Sequence, residues 1–409
     1  MKILLRNTLV PALLLALAIN QAYGQSTMYG VGDLSGGAIW SQVRDVTKTG
    51  GVIYAVGSSA ANSGGTAGDT AFLWTSSGGM SAIPNLVTNT TATNFVTASD
   101  ITADAAYIAG RSRIDPTGGN RQAAQITTSG LTPLALADPS GFTTPSYAVS
   151  ISSDGSVLYG VGINGSGQSQ AVRYFAGGPS TAVPFASVGD IASFPVARAL
   201  SSNGNLMLGT SSTNALGAGP GSRAFLYNNS AASVTLLPLL SGGTWSQGLA
   251  MNSAGSLMLL GGDTPTNANG ELYLYDGTAV AALGTPNPTL GLNTFGGMSA
   301  DGSVVGLTWT TPSSAQSFIY NSHGWQDFYG VASGSGADLS GWTTLNINGI
   351  SEDGTLVWGD GLHDGNNEGF VLEFSSGYLS SIPEPSTFAA AAGIGALGLA
   401  AWRRRRRMA

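Results

Sequence analysis

Residues Ala148–Gly160 read Ala-Val-Ser-Ile-Ser-Ser-Asp-Gly-Ser-Val-Leu-Tyr-Gly, two apolar runs on either side of an Asp-Gly pair. The alternation predicts two strands, and Asp154-Gly155 predicts the tight hairpin between them, because Asx and Gly tolerate the positive φ that such turns require. The unit recurs at Ala197–Gly209 around Asn203-Gly204, Gly248–Gly261 around Ala254-Gly255, Gly297–Gly306 around Asp301-Gly302 and Gly349–Gly359 around Asp353-Gly354. Weaker copies lie at Arg44–Gly57 and Ser99–Gly110, the latter with Asp104-Ala105 in place of the Asp-Gly pair. The closing glycines, Gly57, Gly110, Gly160, Gly209, Gly261, Gly306 and Gly359, fall 53, 50, 49, 52, 45 and 53 residues apart.

An aromatic-rich run follows each unit: Ala71–Trp74, Ala123–Ile126, Ala171–Tyr174, Ala224–Tyr227, Leu272–Tyr275, Ser317–Tyr320 and Gly369–Leu372. A further apolar run comes next, as in Met80–Leu86 and Val234–Leu240. Four short strands per ~50 residues is the pattern of a propeller blade. The expected fold is therefore all-β, a seven-bladed propeller over residues 28–382. The last copy lacks a fourth strand, whereas Met28–Leu34 at the other end has none to follow, so this segment is expected to complete the seventh blade. The competing fold is an open β-solenoid, whose coils repeat at shorter periods.

Charge narrows the function classes. Only 9 % of the 409 residues are charged, and cysteine is absent, which excludes disulfides, thiolate metal sites and a cysteine nucleophile. Between Gln25 and Ile382 there are 21 acidic and 8 basic residues, a net of −13. Such a body repels nucleic acid, which is held through clustered Lys and Arg.

The basic residues that remain sit at the ends. Residues 1–24 combine Lys2 and Arg6, an apolar run and the small residues Ala22 and Gly24, which predicts a secretory signal peptide cut between Gly24 and Gln25. At the other end Pro383, Glu384 and Pro385 precede an uncharged stretch, 388–402, and then Arg403, Arg404, Arg405, Arg406 and Arg407. Fifteen apolar residues make a helix of about 22 Å against a hydrocarbon core of ~30 Å, a short transmembrane helix. The arginines act as a stop-transfer cluster that stays cytoplasmic, leaving the body outside.

This tail, residues 383–409, resembles the PEP-CTERM sorting signal. The resemblance implies an exported protein, held transiently in the inner membrane and processed by an exosortase in bacteria that make exopolysaccharide. Signal peptidase and the export machinery are the other implied partners. Val31–Gly37, the Asp-Gly hairpins and Ala71–Trp74 together resemble HAF-type extracellular repeats, which imply a propeller-like body at the cell surface or beyond but no reaction.

Within the body the Asp-Gly pairs are read as turns rather than cation ligands. Asp360, Asp364 and Glu368 form the densest acidic loop, but at a spacing that matches no EF-hand. His323 and His363, one repeat apart, are read as solvated loop residues. Gly160–Gly165 and Gly393–Gly398 match G-x-G-x-x-G without the strand-turn-helix context that pattern needs. An aromatic stands at the entrance to each hairpin: Trp40, Phe95, Tyr147, Phe194, Trp245, Phe295 and Trp342. These either form a ring of stacking platforms for sugars or pack between blades, the second being the usual role of repeat-conforming aromatics. No catalytic set, metal site or cofactor is expected. The expected function is a non-enzymatic repeat protein that binds exopolysaccharide or a surface partner. The alternatives are an extracellular lyase or hydrolase with paired carboxylates in the channel, and a structural spacer.

Overall fold

The computed structural model describes residues 25–60, 70–86, 96–114, 120–183, 194–212, 221–311 and 314–381. Seven antiparallel four-stranded sheets are arranged as blades of a propeller. In blades 1 to 6 the strands run outward from the axis in sequence order. The inner strands are Ser41–Thr49, Thr97–Ile101, Phe142–Ile151, Phe194–Leu200, Ser246–Met251, Gly291–Met298 and Trp342–Ile350. Second strands such as Val52–Ser59 and Leu356–His363 are buried on both faces, while outermost strands such as Gly79–Ala82 are short and exposed. Short outer strands give little edge on which another chain could pair.

The core is divided into layers between neighbouring blades. Val157, Tyr159 and Ala171 of blade 3, for example, pack on Ala197, Met207 and Phe225 of blade 4. Each blade thus buries one face against the next, and the ring must close for the first and last faces to be covered.

Closure follows the expectation from sequence. Thr27–Gly30 is the outermost strand of blade 7, antiparallel to Asn366–Glu373, with Met28 opposite Leu372 and Gly30 opposite Phe370. The strand is shorter than Met28–Leu34 because Gly32 turns the chain with φ 73°. Val31 and Leu34 then bury themselves among Val43, Phe72 and Trp74 of blade 1. The outer strands expected over Met80–Leu86 and Val234–Leu240 also end early, at Ala82 and Leu236, just ahead of Pro84 and Pro238, which cannot donate to a ladder.

The repeated turn is built as its sequence suggests. Asp154 Oδ1 accepts from the Ser152 hydroxyl at 2.7 Å and the Ser156 amide at 3.0 Å, and Gly155 has φ 73°. These donors hold the Asp154 carboxyl below its ordinary pKa, the Ser152 hydroxyl contributing most. In the degenerate second copy Ala105 adopts the glycine conformation with φ 58°. Successive turns also bond to one another around the ring, Ser153 N to Ser202 O and Ser202 N to Ser253 O, each at 2.8 Å.

The closing glycines have a reason that the repeat alone does not state. In blades 1, 2, 3, 4 and 7 the inner strand carries a bulge beside the glycine: Arg44, Ser99, Val149, Arg198 and Asn348 are the extra residues. The bulge swings an inner-strand carbonyl toward the second strand. A Cβ on Gly57, Gly110, Gly160 or Gly359 would overlap the carbonyl oxygen of Gln42, Thr97, Tyr147 or Asn346 respectively.

Candidate functional site

Both ends of the described chain meet at one helix, Phe328–Gly334, in the connection from blade 6 to blade 7. Asp327 caps it by accepting from Gly330 N at 2.8 Å. At the amino end, Gln25 Nε2 donates to Gly336 O at 2.9 Å and Ser26 N to Ser335 O at 3.4 Å. At the carboxyl end, the short helix Tyr378–Ser381 buries Leu379, with 1 % exposed, beside Val331 and Phe374. Asn321 Nδ2 donates to Leu379 O at 2.8 Å. Residues 25 and 381, the two ends of the described chain, therefore lie on the same part of the propeller. The signal peptide with Gly24, the motif Pro383 to Pro385, the apolar helix 388–402 and Arg403 to Arg407 lie outside the described residues. Among the described residues no helix is long and apolar enough to cross a membrane.

The side chains of four of the seven entrance aromatics are described, and two of them are buried. Trp245 is 7 % and Trp342 5 % exposed, and both pack inside the propeller. Trp40 bridges to Asn367 across the blade 1 to blade 7 junction, and Tyr147 is half-buried. Phe95 and the side chains of Phe194 and Phe295 lie outside the described residues.

The acidic loop of blade 7 sends its carboxylates in different directions. Asp360 accepts from Gln42 Nε2 at 2.8 Å and from Asn346 Nδ2 and Asn348 Nδ2 at 3.2 Å each. Glu368 accepts from Gly32 N at 2.9 Å and lies 2.7 Å from His363 Nδ1. His363 is half-buried rather than solvated, stacked on Trp342 with centroids 4.6 Å apart. This group ties the closing segment to blade 7. His323 is in an exposed turn of blade 6 with Ser322 as its partner, so the two histidines share no site. Among the described residues no three His, Cys, Asp or Glu side chains converge as metal ligands.

Two constellations near the axis escaped the sequence reading. The first is a carboxyl pair on adjacent inner strands. Asp45 Oδ2 accepts from Ile101 N at 2.9 Å, and Asp100 Oδ2 accepts from Ile151 N at 2.8 Å and Ser150 Oγ at 2.7 Å. Asp45 and Asp100 occupy the same slot beside the bulge in successive blades, so each ties its inner strand to the next. Asp45 lies on the innermost strand, half-buried by area but closely surrounded by protein. Burial first, and then the charge and hydrogen bond of Asp100, push the Asp45 carboxyl well above the ordinary range.

A carboxyl whose pKa is raised by folding binds its proton more tightly in the folded chain than in the unfolded one. Its contribution is fully present at acid pH, below the unfolded pKa, and is lost as pH rises through the folded value. Asp45→Asn imitates the protonated form. It is expected to flatten the fall in Tm that the parent shows as pH rises above the ordinary carboxylate range, and to match or exceed the parent at the upper end of the series. A variant that keeps the parent's slope in a Tm-versus-pH series would show that Asp45 does not hold the proton.

The second constellation is cationic. Arg44 and Arg198 are bulge residues of blades 1 and 4, and Arg111 follows the closing glycine of blade 2. The Arg111 guanidinium lies 5.8 Å from the centre of the Tyr147 ring. Arg111 also feels the charges of Arg121 and Arg44, and Tyr147 feels both Arg111 and Arg198. Desolvation is the leading cause that lowers the pKa of Arg44, Arg111 and Arg198. In sequence these arginines look dispersed, and the ring gathers them.

Comparison with known proteins bears on the tail and on the fold. No curated protein sequence matches the chain. Many solved structures do, at low identity. The β-propeller domain of the Trilobed protease from Pyrococcus furiosus, described as having an open velcro topology, is 12 % identical. The match covers 85 % of this chain and 100 % of that one, with a TM-score of 0.52. An oligogalacturonate lyase in complex with manganese is 11 % identical over 87 % of this chain and 98 % of that one, with a TM-score of 0.54. TolB from Acinetobacter baumannii is 15 % identical over 62 % of this chain, with a TM-score of 0.42; the match spans 57 % of that protein. At these identities the likeness is one of fold. Residues 381–406 match the PEP-CTERM protein-sorting motif, so the chain is an exported exosortase substrate that carries this signal on a seven-bladed β-propeller.

Proposed function

We propose that the propeller is the cargo of its sorting tail, a non-enzymatic binding module delivered to the cell surface or beyond, where it holds exopolysaccharide or a surface partner. The observation that carries this reading is the position of the tail. The sorting motif begins at residue 381, just after Leu379, the last buried side chain of the described chain, and blade 7 is completed from the amino end. Removal of the tail therefore takes nothing from the ring. In an exporting host with an exosortase, the released protein is expected to begin at Gln25 and to lack Arg403 to Arg407. Intact-mass measurement of the released protein tests this, and a mass that retains the five arginines would sink the processing step. Pull-down of the cell's own exopolysaccharide by the released protein tests the binding step, and its failure alongside failed capture of envelope proteins would leave only a spacer.

The enzyme reading has one observation in its favour, the Asp45 carboxyl, which burial and the neighbouring Asp100 push well above the ordinary range. Against it, these two carboxyls lie within hydrogen-bonding reach of each other, whereas the pair in a retaining glycosidase stands about 5 Å apart and that in an inverting one further still. Their remaining oxygens are spent on backbone amides of the next blade. A structural tie accounts for all of these contacts. Depolymerisation of an acidic or neutral polysaccharide by the purified protein, abolished in a folded Asp45→Asn variant, would reverse this choice.

A further inference from the structure

We propose that Arg111 and Arg198, around Tyr147 near the axis of blades 2 to 4, form an oxyanion site that takes the carboxylate or sulfate group of a small ligand. The body has 8 basic residues against 21 acidic ones, yet Arg111 feels the charges of Arg44 and Arg121, of which Arg44 is offset by Asp360, and Tyr147 feels both Arg111 and Arg198. Like charges gathered in a desolvated place raise the free energy of the fold unless an opposite charge joins them.

The chain does not supply that charge to Arg111 or Arg198. Among the described residues neither pairs with a carboxylate, and the Nε of each is buried without a hydrogen-bond partner. The contrast with Asp360 is instructive, because it occupies the slot of Arg111 in blade 7. Asp360 has three amide donors from its own and the neighbouring blade, whereas Arg111 has the face of Tyr147. One slot is filled by the chain's own groups, and the other is left with donors to spare. A guanidinium presents its N–H groups in a planar fork that matches the two oxygens of a carboxylate or sulfate. Tyr147 between the forks adds an apolar face on which a sugar ring could stack.

This site deepens the binding reading above and rests on it only for where the ligand comes from. The test is the Tm of the purified full chain in sodium sulfate, sodium galacturonate and glucose, each against sodium chloride at equal ionic strength. Galacturonate or sulfate is expected to raise Tm saturably, by at least ~2 °C, and glucose to leave it unchanged. A response to sulfate alone assigns an inorganic ion, and a stronger response to galacturonate assigns an acidic sugar. Arg111→Gln and Arg198→Gln are each expected to remove the response while matching or raising the Tm of the ligand-free protein, the opposite of what loss of a structural ion pair does. Lys48→Gln, which breaks the pair with Glu373 away from this site, should keep the response. The proposal is overturned if neither anion exceeds chloride in the parent, or if the response survives in both arginine variants; the parent's own response decides should a variant fail to fold. An anion response without capture of exopolysaccharide would keep this site and remove the matrix reading, and the converse would remove the site alone.

Discussion

Gly160→Ala is expected to destabilise the propeller by about 3 kcal/mol or more. The added Cβ would overlap the Tyr147 carbonyl oxygen, and that oxygen belongs to the bulged inner strand rather than to a side chain that could turn away. Relief would need the bulge at Val149 to open. That in turn would disturb Ser150 and Ile151, which anchor Asp100 of blade 2. Gly167→Ala is the matched control. Gly167 has φ 76° and nothing within 4 Å of the added Cβ, so the cost there is only the ~1 kcal/mol of a left-handed backbone. Denaturant unfolding of both variants separates the two causes. Gly160 has no left-handed φ, so a loss there no larger than at Gly167 would mean that the strands relieve the overlap without opening the bulge.

Deleting residues 25–31 is expected to cost about 4 kcal/mol and to make the protein associate. The deletion leaves Asn366–Glu373 as an unpaired edge, takes Val31 from the blade 7 to blade 1 layer and Met28 from the blade 6 to blade 7 layer. Burying one aliphatic side chain contributes about 1.5 to 3 kcal/mol and each ladder hydrogen bond about 1, offset in part by the entropy of ordering the segment. The exposed edge offers a template for a second chain. A synthetic peptide of residues 25–34 should restore both Tm and monomeric elution by adding back the strand. An unchanged Tm in the deletion variant would show that the ring closes without it.

Much of this fold is legible in the sequence because a blade makes the same local demand seven times. The hairpin needs positive φ after an Asx residue, so Asp-Gly or Asn-Gly recurs, and its most degenerate copy still forces Ala105 to φ 58°. The strand left over at Met28 and the strand missing after Gly369–Leu372 could be matched by counting. The tail is legible for another reason: a sorting signal is one continuous run of residues with its own order of parts, and its sequence is recognisable without any packing. Strand ends were less legible, since Gly32 and the prolines at 84 and 238 cut short runs whose apolar residues continue into the core.

The candidate sites were hardly legible. Asp45 and Asp100 repeat at the interval of the blades and could have been noticed, but nothing in the spacing says that their side chains touch. Arg44, Arg111, Tyr147 and Arg198 fall in four blades; Arg44 and Arg198 share the bulge slot, but Arg111 and Tyr147 stand at other strand positions, so no single period picks out the four. The sequence by itself determined the number of blades, the turn chemistry, the order of closure and the sorting address, because each of these is a local backbone requirement written several times or in one continuous segment. Only the tertiary structure decided why the closing glycines must be glycine and which charges meet near the axis. Both depend on how bulged inner strands of neighbouring blades approach one another, and that distance is set by the ring and not by any stretch of the chain.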